Sequence, residues 1–594
     1  MTETTAPGLQ EAAAGPQEAA DDWDRMATAA VEGYFAAHPT FAAGAGRHEF
    51  DGLLPNWSRE GLDDEVRRLC GLRRTLGACE PARLDPRRRR ERQVLLTQIE
   101  SDLFWLEETA WSAANPQFYA MALDPGLYVS REYAPAAERA GAFAGLARRV
   151  PTAVAQIRAN LRPPLPPTYL DLGASTFEGL AAFYRADVPA LFAAAVGDDP
   201  ALLAAVHTEG AAAGAALGDL AAWFAAERAR QRPSGERRRE SRAPWNGDGG
   251  RGADGDFRLG AAGLARMLEA TERIDLPLAR IAAAGQDDLR RNLAALAEAC
   301  GRFAGGNGHG GAAAAGDRVA ACMARVQAAK PADGPVAAAR RQLEHLRRFV
   351  EERALVSIPG DEEARVAEAP PHQRWNSAYI EIPGPYDRHL PSIYYIAPPD
   401  PAWSAAERAA YLPSEADLLF VSAHEVWPGH FLQFLHSNRA ASEISRLFIG
   451  YAFAEGWAHY SEEMLWEAGF GDGDPELHIG QLQNALLRNV RLLVSIGLHT
   501  GEMSLEQAEA MFREQAFQDP ASARQQAARG TFDPAYLNYT LGKLIVRQLR
   551  QDWLAAAPGR TWRGFHDRLL SFGGPPLPLA REAMLPDGHR GPML

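Results

Sequence analysis

What this chain has little of bounds its function first. Only four cysteines, Cys70, Cys79, Cys300 and Cys322, occur in 594 residues, and none has the close spacing of a CxxC motif. That density excludes a disulfide framework and fits the free thiols of a cytosolic protein, which are poor metal ligands. No uninterrupted apolar run reaches the roughly 18 to 20 residues that a membrane helix needs. The nearest, Ala211 to Ala226, is interrupted by Asp219 and consists largely of alanine. The N-terminus, MTETTAPGLQEAAAGPQEAADD, is acidic and has no apolar signal core, so residues 1–22 read as a disordered tail and the expected address is the cytoplasm. Positive charge is short as well. Sixty-two Lys and Arg stand against 76 Asp and Glu, a net −14, which argues against nucleic-acid and anionic-membrane binding. The runs Arg87–Arg90 and Arg237–Arg239 sit among acidic or Gly/Pro residues and read as solvated helix face or loop.

Strand-like patterns are equally scarce. Ala, Leu, Arg, Glu and Gln dominate, with apolar residues at helical spacing, as in Val94 to Trp111, Ala261 to Ile274 and Leu544 to Trp553. The exceptions are Ser377 to Ile382 and Ser392 to Ala397, which predict a short hairpin or small sheet. The expected fold is mainly α: a large helical body over 23–594 with a deep central cleft, treated as one domain. Low-complexity stretches at 230–256 and 305–316 are read as mobile surface loops, with His309 a solvated residue in the second.

What is there concentrates between Leu418 and Glu463. His424-Glu425 closes the apolar run LLFVSA, where an unpaired carboxylate would be costly. A His–Glu doublet at the end of such a helix is how helical zinc hydrolases begin, the histidine on the metal and the glutamate toward water. The second histidine of HExxH is missing. Position 428 is proline, and the next histidine is His430, at i+6, which on an undistorted helix lies about 120° away and roughly 9 Å further along. Pro428 clashes with the carbonyl of His424, and Gly429 accepts unusual backbone angles. If the resulting bulge absorbs two residues, His430 takes the place of the i+4 ligand; alternatively Pro-Gly ends the helix and His430 is structural. Downstream, Glu455, His459 and Glu462 share one face of an apolar helix. This is a cation-seeking arrangement, or a buried salt-bridge network with arginines. Two histidines and one carboxylate form the ligand set of a catalytic zinc site, with Glu425 as general base.

HEVWPGHFLQ (424–433) followed by AEGWAHYSEEM (454–464) resembles the bacterial DUF885 family, with its HExxPGH and EGWAxYxE motifs. The resemblance extends over most of residues 23–555, through segments such as NLRPPLPPTYLDLG, LLRNVRLLVSIGLHTGEMSLEQA and ARGTFDPAYLNYTLGK. It implies a mainly helical zinc-dependent peptidase or hydrolase with glutamate-zincin-like site logic. His424, His430 and Glu455 match its metal ligands and Glu425 its base. Many members double the second histidine, where this chain has Phe431.

Donors that could complete such a site lie in RGTFDPAYLNYTLGK. Asp533-Pro534 predicts a helix start, and Tyr536, Tyr539, Thr540 and Lys543 then share a face. Tyr539 is the expected oxyanion donor, and Arg529, Lys543 and Tyr536 the substrate-binding candidates; His459 joins the catalytic candidates, and His499 reads as a core or capping residue. The expected activity is hydrolysis of short peptides or small amides by one zinc ion, with the oligomeric state open. The rival readings are a non-hydrolytic scaffold whose fourth metal position is filled by His459, and a metal-dependent biosynthetic enzyme acting on a C–N bond by other chemistry.

Overall fold

The computed structural model describes residues 16–197, 199–231, 256–305, 312–370, 374, 377–399, 401, 403–585 and 591–594. It is mainly α-helical, with one three-stranded sheet among the described residues. β1 (Ala364–Glu368) runs parallel to β3 (Ser392–Ile396), and β2 (Ala378–Glu381) pairs antiparallel on the other side of β3, in register Tyr379↔Tyr395. The two expected strands are therefore present and adjacent. β1 joins them unforeseen because ARVAE, with Arg365 and Glu368, is too charged to carry an apolar alternation signal.

The expected tail, 1–22, overlaps a helix in its last seven residues. A helix spans Pro16–Ala37, and its residues Trp23, Ala30, Val31 and Phe35 are buried, so packing holds the helix well back toward its first turn. Residues 1–15 lie outside the described residues, as do most of the expected loops: 232–255, and 306–311 with His309. The helix Ala312–Ala328 begins inside the second of these, in keeping with the high helix propensity of its alanines.

Four helices frame the site, and a fifth, His430–Ser437, begins within it. Glu415–Glu425 starts at Ser414, whose side chain accepts the Asp417 N–H, and buries Leu418, Leu419, Phe420 and Ala423. Tyr451–Glu467 and Asn538–Ala556 meet backbone to backbone: a Cβ on Gly456 would lie 2.5 Å from Gly542 Cα, and one on Gly542 2.1 Å from the Ala452 carbonyl. Only glycine at both positions allows this approach. Pro475–Thr500 lies across them and is tied to the first helix by Asn484, which donates to Asp417 at 2.8 Å. A separate cluster of apolar side chains, including Phe143, Tyr169, Phe177, Leu217 and Phe224, fills the N-terminal helices. It is linked to the site region where Tyr169 donates to the Thr531 carbonyl at 3.0 Å.

Candidate metal centre

The helix carrying His424 ends at Glu425, and a new helix, His430–Ser437, begins at His430. The intervening turn contains a cis Trp427–Pro428 bond and Gly429, whose N–H returns to the Ala423 carbonyl at 2.9 Å. A Cβ on Gly429 would sit 1.8 Å from the His424 carbonyl oxygen, so no other residue fits. Of the two sequence alternatives, a bulge and a helix end, the chain takes the helix end, yet it still brings the rings together. The His424 and His430 centroids are 4.8 Å apart at 85°.

Glu455, from the second turn of Tyr451–Glu467, reaches both rings. Its Oε2 lies 3.3 Å from His424 Nε2 and 3.4 Å from His430 Nε2, and is buried without a hydrogen-bond partner. Among the described residues, His424, His430 and Glu455 are the one group of His, Cys, Asp or Glu whose donor atoms converge on a common point, all within 4.8 Å. These three could hold a metal ion. Their side chains are 6%, 14% and 17% exposed, so the centre is enclosed but reachable.

The other nitrogen of His424 is fixed from behind. Nδ1 donates to Glu462 Oε1 at 2.7 Å, and Arg488 pairs with the same carboxylate at 3.2 Å. Burial would raise the Glu462 pKa, but Arg488 and the histidine hydrogen bonds hold it below the usual carboxylate range. Burial and Arg488 work against a charged His424 ring, yet Glu455 and Glu462 outweigh them and push its pKa up to about 9. A carboxylate behind a metal-binding histidine sets ring orientation and basicity. Glu462→Gln is thus expected to weaken metal binding roughly 10- to 100-fold, read by competition with a chromogenic chelator on folded protein; unchanged affinity would remove the role.

Glu425, next along the chain, is partly buried and accepts the Ile380 N–H on Oε2 at 3.1 Å. Burial pushes its pKa up against the pull of His424 and His430. Tyr539 stacks beside His424, centroids 6.2 Å apart at 19°, and burial keeps its phenol protonated. Arg529 stands near Tyr539 but is held by Asp533 at 2.8 Å and meets Tyr451 Oη at 3.3 Å.

Three expected site residues are elsewhere. Lys543 is fully buried, paired to Asp288 at 2.5 Å and Glu463 at 3.0 Å, so it belongs to an internal ion network and cannot bind substrate. Tyr536 is fully buried against Gly530 and Leu498. Its expected place on the Tyr539 face assumed one helix from Asp533, whereas Pro534–Leu537 is a 3₁₀ turn with a different phase, and the Asp533 side chain bonds Arg529 in place of capping. His459 is fully buried one turn beyond Glu455, 3.5 Å from Glu462, and its pKa is pushed down to about 4 by burial and Lys543. It does not reach the triad, so it neither fills a fourth metal position nor stands at the reacting centre. His499 bonds the Gly530 carbonyl at 2.8 Å and is a core residue, as expected.

Sequence reasoning missed Arg488 and Arg491, although two arginines in the apolar run LLRNVRLLVSIG were a legible signal of buried acceptors or ligands. The Ile380 N–H was not legible, because β2 reaches Glu425 only through tertiary packing.

Residues 39–584 match the family described as "Bacterial protein of unknown function (DUF885)". Two solved structures share the fold. One is a putative lipoprotein of unknown function from Shewanella oneidensis, 21% identical with a TM-score of 0.76, covering 96% of this chain and 100% of that one. The other is a putative lipoprotein from Colwellia psychrerythraea, 17% identical with a TM-score of 0.74, covering 95% and 98%. No curated protein matches. These descriptions overturn the cytoplasmic expectation: two proteins with this fold over nearly their whole length are described as putative lipoproteins, and an acidic N-terminal stretch does not set an address. Among the described residues, no helix is long and apolar enough to cross a membrane.

Proposed function

Because the chain belongs to the DUF885 family, whose function is unknown, its activity must be argued from its own side chains, and we propose that it is a zinc-dependent hydrolase of peptide or small amide bonds. The observation that carries this reading is the position of Glu455 Oε2, 3.3 and 3.4 Å from two imidazole nitrogens with Glu425 adjacent to the first. Tetrahedral zinc with bonds of about 2.1 Å separates neighbouring donors by about 3.4 Å, so the two spacings made by Glu455 suit that ion, while the three donor atoms lie within 4.8 Å of one another. Two histidines and one carboxylate leave a position open, as catalytic sites require.

A zinc ion held by His424, His430 and Glu455 would supply Lewis acidity toward the scissile carbonyl. Glu425 takes a proton from the attacking water and passes it to the departing amine, which balances the hydrolysis. The Ile380 N–H fixes one carboxylate oxygen during both transfers. Tyr539 keeps its proton and can donate to the oxygen that gains charge. Glu462 and Arg488 hold the His424 ring in place.

A peptide is the favoured substrate class because of β2. The Ser377 carbonyl accepts from Ala397 on the β3 side, so by alternation the Ala378 and Ile380 backbone groups face away from β3, and Ile380 points at Glu425. An extended chain added along that edge would run past the proposed base.

The test is metal analysis of purified protein with a library of dipeptides and simple amides. About one zinc per chain is expected, with hydrolysis lost to a chelator and restored by zinc. Full activity in His430→Ala, or in metal-free protein, would overturn the reading.

A further inference from the structure

Three arginines lie around Tyr539, and two of them have carboxylate partners. Arg488 pairs with Glu462, and Arg529 with Asp533. Arg491 has none among the described residues. It is only 8% exposed, its Nε donates to Gln526 Oε1 at 2.9 Å, and its guanidinium lies over the Tyr539 ring at 5.0 Å. Arg529 and Arg488 repel it further, and Asp533 is already committed to Arg529.

A buried guanidinium without an anion is an expensive thing for a fold to keep, because desolvation is not offset by an ion pair. Its planar fork suits a carboxylate through two parallel hydrogen bonds. The position is as informative as the charge. One face of the Tyr539 environment holds His424 at 6.2 Å and another holds Arg491 at 5.0 Å. Extended chain advances about 3.3–3.6 Å per residue, so these intervals together are bridged by no more than about three residues.

We propose that Arg491 is a specificity-determining residue that binds a substrate carboxylate within about three residues of the scissile bond. This rests on the hydrolase reading of the same site. The ligand chemistry is a carboxylate, whether the free C-terminus of a short peptide or an acidic side chain near it. Of the two cations expected to serve this purpose, Arg529 is held by Asp533, and Lys543 is enclosed by Asp288 and Glu463.

The test uses the zinc-loaded full chain and four N-acetylated tripeptides: C-terminal acid or amide, each with or without one glutamate side chain. The parent should prefer carboxylate-bearing peptides in kcat/KM, and Arg491→Met should reduce that preference roughly ten- to hundredfold, with Arg491→Lys intermediate. A general packing defect would lower all four substrates together and leave their ratios unchanged. A free-acid preference identifies the C-terminus; a glutamate preference, even with an amidated end, identifies a side chain. The same four peptides are also bound to Glu425→Gln protein and followed by thermal shift. If no peptide is hydrolysed but carboxylate-dependent binding is lost in Arg491→Met, the hydrolase reading fails and the carboxylate site stands. Equal handling of acid and amide by the parent, or an undiminished preference in Arg491→Met, overturns the proposal.

Discussion

Glu425→Gln should retain zinc and lose turnover, with kcat/KM falling by about 10²- to 10⁴-fold, the usual contribution of a positioned general base. Glutamine has the shape of glutamate, and its amide oxygen can still accept the Ile380 N–H that now reaches Oε2 at 3.1 Å. The loop before His430 and the three metal donors are untouched by the change. What disappears is the group that receives the proton from water. Metal content by elemental analysis and kinetics on the best library substrate separate the two effects. Retained hydrolysis in a zinc-loaded variant would sink the base assignment, and loss of zinc would mean that Glu425 contributes to holding the ion.

The second large effect is on stability. Lys543→Met should destabilise the fold, by less than the about 3–5 kcal/mol that follows when removal of one partner leaves a buried charge wholly unpaired, because Arg291 still reaches Asp288 at 2.6 Å. Asp288 and Glu463 are both almost fully buried, and Lys543 Nζ joins them. Arg291 and Arg547 also reach Glu463, so the network would not lose all its cations. Asn489 continues to donate to Asp288 at 2.8 Å. Urea unfolding of parent and variant measures the difference. Metal affinity of the folded variant should be unchanged, since Lys543 does not touch the triad. A variant as stable as the parent but with a raised KM would return Lys543 to the substrate-binding role that its sequence position suggested.

His424, His430 and Glu455, the proposed metal donors that converge, were legible because their chemistry is improbable in apolar helices: a His–Glu doublet after LLFVSA and a carboxylate in YAFAEGWAHY both need partners. The path of the chain between His424 and His430 was only half legible. Pro428 and Gly429 announced a break, but whether the two rings would converge depended on Gly429 packing against the His424 carbonyl. Residues chosen by shared helix face fared worse. Tyr539 does stand by His424, whereas Tyr536 and Lys543 turn into the interior because the preceding turn is 3₁₀ and because Asp288 arrives from Leu278–Phe303, far off in sequence. Periodicity reports what lies on one side of a helix, and it is silent on which neighbour covers that side. The mainly helical fold was plain from composition, and β1 was hidden because the charges in ARVAE break up its apolar pattern.

The contact of Gly456 with Gly542 bears on timing as well as location. Two rods that touch main chain to main chain have no side-chain layer through which to slide, so Glu455 is held at its station before any ion arrives. The protein would then behave as a rigid socket, unlike small zinc modules that assemble around their metal, and chelation should leave an intact shell ready to be recharged.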